Sequence, residues 1–235
     1  MTKKRAAAKA KRKNGNSFLR LIKKVVLYFI AISVVWVLFY RFVNPPITWL
    51  IISETWFTSQ PKDLPKRIWI PYEDLSDNLK RAAIAGEDAL FMDHHGFDTK
   101  AIQQAYQKNK EGKSIRGGST ISQQTAKNVF LWPHRSWVRK GFETWFTILI
   151  EILWGKERIL EVYLNIIETG EGIFGMNSAS QFYFNKSAQS LTRRQAALLV
   201  AVLPNPIRWK PNAPTPFINR KTATIMRYMS SSRIP

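Results

Sequence analysis

Cysteine is absent from the 235 residues. That excludes disulfides and any zinc or iron–sulfur centre held by thiolates. It leaves the compartment open, because a periplasmic protein can lack disulfides. Acids are scarce: 16 Asp and Glu face 36 Lys and Arg, for a formal net charge of +20. Such an excess calls for an anionic partner, and nucleic acid, anionic lipid head groups and pyrophosphates all qualify. No acid precedes Glu54, whereas ten cations lie between Lys3 and Lys24. Strand signals are few and no internal repeat is visible, so the expected fold class is mainly α. The adjacent His94 and His95 cannot easily place both rings on one metal, and no metal site is read from them. The length suits one globular domain with appendages, whose core needs no covalent staples.

What is present in quantity is apolar sequence near the start. Val25 to Tyr40 contains no charge. With Leu21, Ile22, Phe42 and Val43 it reaches the thickness of a bilayer core at about 1.5 Å per residue. Lys23, Lys24 and Arg41 can snorkel to the interfaces, and Tyr28, Trp36 and Tyr40 supply aromatic anchors. The bulky run from Tyr40 to Pro45 lacks a small-x-small cleavage pattern, so an uncleaved signal anchor is expected rather than a removed signal peptide. The basic flank places the N-terminus in the cytoplasm and the rest outside the membrane. Nucleic acid is then on the wrong side.

The expected organisation is a disordered basic tail over 1–20, interrupted by a turn at Asn14-Gly15-Asn16, and a transmembrane anchor over 21–43. A proline-containing stem follows over 44–76, with an apolar stretch from Trp49 to Phe57 suited to a membrane surface or to core packing. A helical domain covers 77–235. Within it Asp77 can cap a helix to about Phe91, and Asp98 one to about Glu111. Further helices are expected over Ser119–Phe130, Arg135–Trp154, Lys156–Ile167 and Met176–Phe184. Thr192 can cap Arg193–Leu203, and a last helix covers Phe217–Met229.

Three polar groups sit in unusual settings. Glu87 and Asp88 end an apolar helix beside a turn, where shielding from water would raise a carboxyl towards the range of a general base. Gly117, Gly118, Ser119 and Thr120 open a helix that continues through Gln123, Gln124, Lys127 and Asn128. Free N–H groups at such a start can cradle an anion, and Ser119, Gln123 and Lys127 would share a face. Arg135, Arg139 and Glu143 fall at successive i+4 positions, with Lys140 beside them. They form either a phosphate clamp next to a carboxylate or an exposed ion-pair ladder. Taken singly, the first two groups also have ordinary alternatives: surface acids at a helix end and a plain capped helix.

Taken together and in order, these segments resemble the peptidoglycan glycosyltransferases, glycosyltransferase family 51, and among them the monofunctional branch. Glu87, Asp88, Phe91, His94 and Gly96 meet the first motif. Gly117 to Gln124 with Lys127 and Asn128 meet the second, and Arg139, Lys140 and Glu143 the third. Lys156 to Asn165 with Gly170, Gly172 and Gly175 meet the fourth, and Ala196 to Pro206 the fifth. Ser122 stands where Thr is usual, and Thr144 where Ala is common. The resemblance spans about residues 60–220.

It implies a lysozyme-like, α-rich domain that polymerises lipid II into β-1,4 glycan strands at the bacterial inner membrane, with its catalytic domain in the periplasm. No transpeptidase segment follows before Pro235, so glycan without cross-links is expected. Glu87 is the implied general base. Glu143 is implied to assist departure of the pyrophosphate directly, through water or through a divalent cation, Mg or Mn. Arg135, Arg139, Lys140 and Lys127 would hold the pyrophosphate, and Ser119, Thr120, Gln123 and Gln124, followed by Asn128, would line the donor site. No organic cofactor is implied. The expected partners are lipid II, the growing strand and the membrane, with cell-division or cell-wall synthesis proteins as candidates. A glycan-cleaving enzyme also needs two carboxylates but has no task for a cluster of cations. A noncatalytic lipid II scaffold would tolerate loss of Glu87.

Overall fold

The computed structural model describes residues 2–46, 48, 67–100, 103, 107, 118–134 and 136–235, with side chains from residue 18 onward. The stem over 49–66, Gly117 and Arg135 lie outside the described residues. So does most of the helix expected from Asp98 to Glu111, of which Thr99, Lys100, Gln103 and Gln107 are helical.

The first helix, α1, runs unbroken from Thr2 to Phe42. The basic tail is therefore continuous with the anchor, and no turn interrupts it at Asn14-Gly15-Asn16. Alanine, lysine and arginine are strong helix formers, and one glycine costs only about 1 kcal/mol in a helix interior. Its Phe18–Phe42 stretch is long and apolar enough to cross a membrane, and only 11% of the most apolar window is buried. That exposure distinguishes it from a core helix, which would be covered.

Among the remaining described residues the regular structure is helical apart from one small hairpin. Helix α2 spans Asp77–Glu87, α3 Ile121–Phe130, α4 Trp137–Leu153 and α5 Lys156–Ile166. Strands β1 (Glu168–Gly170) and β2 (Ile173–Phe174) pair antiparallel with a bulge. Helices α6 (Met176–Phe184), α7 (Arg193–Val202) and α8 (Pro216–Met229) complete the chain. Helices α2, α7 and α8 pack together as one group, while α3 lies against α4 and α5, and α1 lies along α4. Fully buried Leu79, Ile84, Phe91, Ile121, Leu160, Tyr163 and Leu199 join the two groups into one core.

The local signals explain the boundaries. Thr192 and Thr120 each form a reciprocal capping box with the glutamine three residues on, and Thr215 caps α8 ahead of Pro216. Two helices differ from expectation. Ser76, not Asp77, caps α2, and α2 stops at Glu87 because Asp88 leaves helical geometry. Helix α4 is capped by Ser136 and starts at Trp137, two residues later than expected.

Buried polar pins hold the ends in place. Asn165 Oδ1 accepts from Ile70 N at 2.9 Å, while its Nδ2 donates to Ile70 O at 2.9 Å and Glu161 O at 2.8 Å. The segment before α2 is thereby tied to α5. Gly96 has φ +89, and a Cβ there would lie 2.7 Å from Thr147 Cγ2 and 3.1 Å from Glu151 Cγ. Only glycine lets the loop after Glu87 press onto α4.

Candidate active site

Glu87 ends α2 on the side facing α3. Its Oε2 accepts from Gln124 Nε2 at 2.9 Å. Part of the residue stays open to solvent while protein atoms crowd the carboxylate. Burial pushes the Glu87 carboxyl up from the ordinary range. The Gln124 bond, Lys221 and Lys127 work against that rise, and neighbouring Asp88 adds to it. The net direction is upward, as a general base near neutral pH requires.

Asp88 has a different task. It is buried, with Oδ1 2.8 Å from His94 Nε2 and Oδ2 accepting from Ile121 N at 3.0 Å. His94 Nδ1 accepts from Gly96 N at 3.1 Å, so the proton of a neutral ring sits on Nε2, facing Asp88. Asp88 therefore fastens the Glu87 turn to the start of α3 and fixes His94 as a structural residue.

Three donors and acceptors at the start of α3, where an anion cradle is expected, bond within the protein. Ile121 N is taken by Asp88. Thr120 N donates to Gln123 Oε1 at 3.1 Å, and Gln123 N donates to Thr120 Oγ1 at 3.1 Å. Thr120 Oγ1 also donates to Gly96 O at 2.7 Å. Thr120 and Gln123 are buried and form the cap of α3. Ser119 is exposed and precedes the helix, so it does not share the face carrying Lys127. Gln124, Lys127 and Asn128 do line a cleft.

That cleft has a volume of about 300 Å³. Gln124, Lys127 and Asn128 of α3 form one wall and Arg139 of α4 another, with Trp132, Glu168 and Pro206 among the residues closing it. Arg139 is only 8% exposed, and its Nε has no hydrogen-bond partner. Its Nη1 lies 3.8 Å from Glu143 Oε2, and Lys140 Nζ pairs with Glu143 Oε1. Glu143 is buried on α4, its carboxyl group facing both cations. A nearly buried guanidinium with an unused donor beside a cleft is suited to an anionic oxygen.

Three residues escaped the sequence reading. Glu168, at the start of β1, lines the cleft. Glu151, partly buried beside the loop after Glu87, pairs with Ser122 and with Lys156 Nζ at 2.8 Å, and Lys156 donates to His94 O at 2.7 Å. Lys221 of α8 donates to Ala201 O at 3.2 Å, and burial lowers its pKa while Glu87 works to raise it. One signal for Lys221 was available: it lies three residues after Ile218 and four before Ile225, on the buried stripe of α8.

Among the described residues no group of three or more His, Asp or Glu side chains converges as a metal site. Glu143 pairs with Lys140 and lies 3.8 Å from Arg139 Nη1.

A desolvated carboxylate bonded to Gln124, which lines a cleft that Lys127 and Arg139 also line, has the chemistry of transfer from a phosphate-bearing donor, and the class defined by fold and site is a glycosyltransferase. The family model described as transglycosylase matches residues 54–230. The chain is 50% identical over 218 residues to the biosynthetic peptidoglycan transglycosylase of Pseudomonas entomophila, covering 92% of each chain. It is 51% identical over 216 residues to the protein of that name from Pseudomonas aeruginosa, covering 91% of this chain and 93% of the other. The chain belongs to the transglycosylase family, and it is a glycosyltransferase of peptidoglycan synthesis.

Proposed function

We propose that the protein polymerises lipid II at the outer face of the bacterial inner membrane, with α1 as anchor and its N-terminus in the cytoplasm. The orientation rests on the ten cations before Val25. The observation that carries the chemical reading is the pairing of Glu87, whose pKa is raised by burial, with a cleft that Lys127 and Arg139 line.

In this reading Glu87 takes the proton from the acceptor 4-hydroxyl. The hydroxyl oxygen attacks the anomeric carbon of the donor strand, and the bond from that carbon to the pyrophosphate breaks. The electron pair leaves with undecaprenyl pyrophosphate, and the α-linkage inverts to a β-1,4 bond. Glu87 then returns its proton to water. Lys127 and Arg139 neutralise charge that grows on the leaving oxygens, an interaction stronger in the transition state than in the ground state. Glu143 orients Arg139, and Lys140, paired with the same carboxylate, adds its charge towards the pyrophosphate. Gln124 orients Glu87, and Asn128 presents a buried amide to the donor sugar. Arg135 is assigned to the same pyrophosphate by the family resemblance alone. A divalent cation would sit on the substrate's pyrophosphate with Glu143 as the carboxylate at hand, and no step depends on it. Cell-wall synthesis proteins remain proposed partners on the strength of the reaction.

The pH profile tests the base. The polymerisation rate should rise with pH along an acid limb centred above the ordinary glutamate value of about 4.3. A limb at or below that value would place the base elsewhere.

A further inference from the structure

Three side chains of the catalytic domain reach across to α1 with polar contacts. Trp145 Nε1 donates to Ser33 Oγ at 3.0 Å, and Ser33 Oγ in turn donates to Ile30 O at 2.9 Å. Trp154 Nε1 donates to Val37 O at 2.7 Å. Arg158, near the start of α5, takes the end of the helix. Its Nη2 donates to Tyr40 O at 2.9 Å and Val43 O at 3.0 Å, and its Nε to Tyr40 O at 3.2 Å. Its Nη1 donates to Asn44 Oδ1 at 2.8 Å and to Glu161 Oε2 at 2.9 Å. The guanidinium lies 5.4 Å from the Trp69 ring centroid, and Trp69 Nε1 donates to Glu161 Oε1 at 2.8 Å.

Ser33, Val37 and Tyr40 are spaced as one face of a helix. The last carbonyls of any helix lack partners within it, and near a bilayer they are costly to leave unmade. A cation is favoured at that end by the helix dipole. Arg158 answers both demands, and its side chain is only 12% exposed. A slide of α1 by one turn, or a rotation of it, would break all three contacts together. Trp145 lies two residues from Glu143 on the same helix, so the ladder is anchored on the element that carries Arg139.

We propose that Arg158, with Trp145 and Trp154, locks α1 to the catalytic domain in one register and so holds the cleft at a set height above the bilayer. They are positioning residues, acting through the anchor rather than on the reacting atoms. The inference rests on the reading of the substrate as a lipid-linked pyrophosphate, whose charged group lies at the head-group level and cannot adjust its own depth freely. A flexible tether would let the cleft wander from that level.

The absence of cysteine allows a direct test in the full-length chain. Cysteines placed at Leu19 and at Gln189, both exposed, take nitroxide labels, and pulsed electron paramagnetic resonance reads the distance between them in lipid vesicles. The background protein should give one narrow distribution, and Arg158→Ala a broad one. Arg158→Lys, which keeps the charge but loses the fork, should fall between them. On lipid II in vesicles, Arg158→Ala should lose up to about 10²-fold in kcat/KM, the scale of a misplaced reaction centre. On a short-chain lipid II analogue in detergent, where depth is not imposed, the same variant should match wild type. That detergent activity also shows that the domain has folded. A distribution that stays narrow in Arg158→Ala would overturn the lock. A broadened distribution with unchanged vesicle activity, or an equal loss in vesicles and detergent, would overturn the role in setting depth. Failure of the unsubstituted protein to make polymer would count against the substrate reading instead, and the distance measurement would still report on the lock.

Discussion

Glu87→Gln should abolish polymerisation while raising thermal stability. The amide keeps the shape of the side chain and can still meet Gln124, but it cannot accept a proton from the acceptor hydroxyl. Loss of a positioned general base costs about 10²–10⁴-fold in rate. The stability change has the opposite sign. Burial raises the Glu87 carboxyl, so the folded protein binds that proton more tightly than the unfolded chain does. As pH rises from the ordinary value through the raised one, the folded state comes to carry a desolvated carboxylate and loses stability relative to the unfolded chain. Glutamine has no charge to desolvate. At neutral pH the variant should therefore melt higher, by about 2–4 °C, the shift that roughly 1 kcal/mol produces in a domain of this size. Below the ordinary value of about 4.3 the gap should close. Melting curves at neutral and acid pH, set beside the polymerisation rate, check both halves. A variant that still polymerises at the wild-type rate would remove Glu87 from the mechanism.

The second large effect is expected at Arg139. The residue lines the cleft, is 8% exposed, and keeps Nε without a partner. If that donor waits for a pyrophosphate oxygen, Arg139→Ala should lower kcat by about 10²–10³-fold, the effect of removing one preorganised donor from a developing anion. KM should change less, because the charge it meets is larger in the transition state than in the bound substrate. Arg139→Lys should recover only part of the loss, since a point charge cannot present two parallel donors. Arg139 also touches Glu143 at 3.8 Å, but Lys140 pairs with the same carboxylate. Glu143 therefore retains a cation in the variant, and folding should survive. Steady-state kinetics on labelled lipid II separates kcat from KM. A pure rise in KM would make Arg139 a ground-state contact only.

How much of this was visible in the sequence depends on the range of the interaction. Helices α5 to α8 begin and end within about a residue of their expected limits, because the deciding residues are local: Gly155, Gly175, Thr192 and Pro204 to Pro206 act on their immediate neighbours. Helix α2 was expected to continue to Phe91, since apolar Leu90 and Phe91 extend the pattern. The chain instead turns at Asp88, whose carboxylate bonds to Ile121 N, 33 residues away. The same contact occupies Ile121 N at the start of α3 from within the protein. No local pattern encodes that pairing. The spacing of Arg139, Lys140 and Glu143 did place three side chains together on α4. Lys221 and Glu151 reach the site from distant helices, and only their positions on buried faces hinted at it. The anchor's contact with α4 was likewise invisible, because an apolar helix of this length satisfies a bilayer whether or not it touches the domain.

The most direct test of the account is the product of full-length protein incubated with labelled lipid II. The account predicts a lysozyme-sensitive polymer and one undecaprenyl pyrophosphate released for each bond formed. Shortening of finished glycan strands with new reducing ends would show a cleaving enzyme, and bound but unconverted lipid II would show a scaffold. Either result would contradict it.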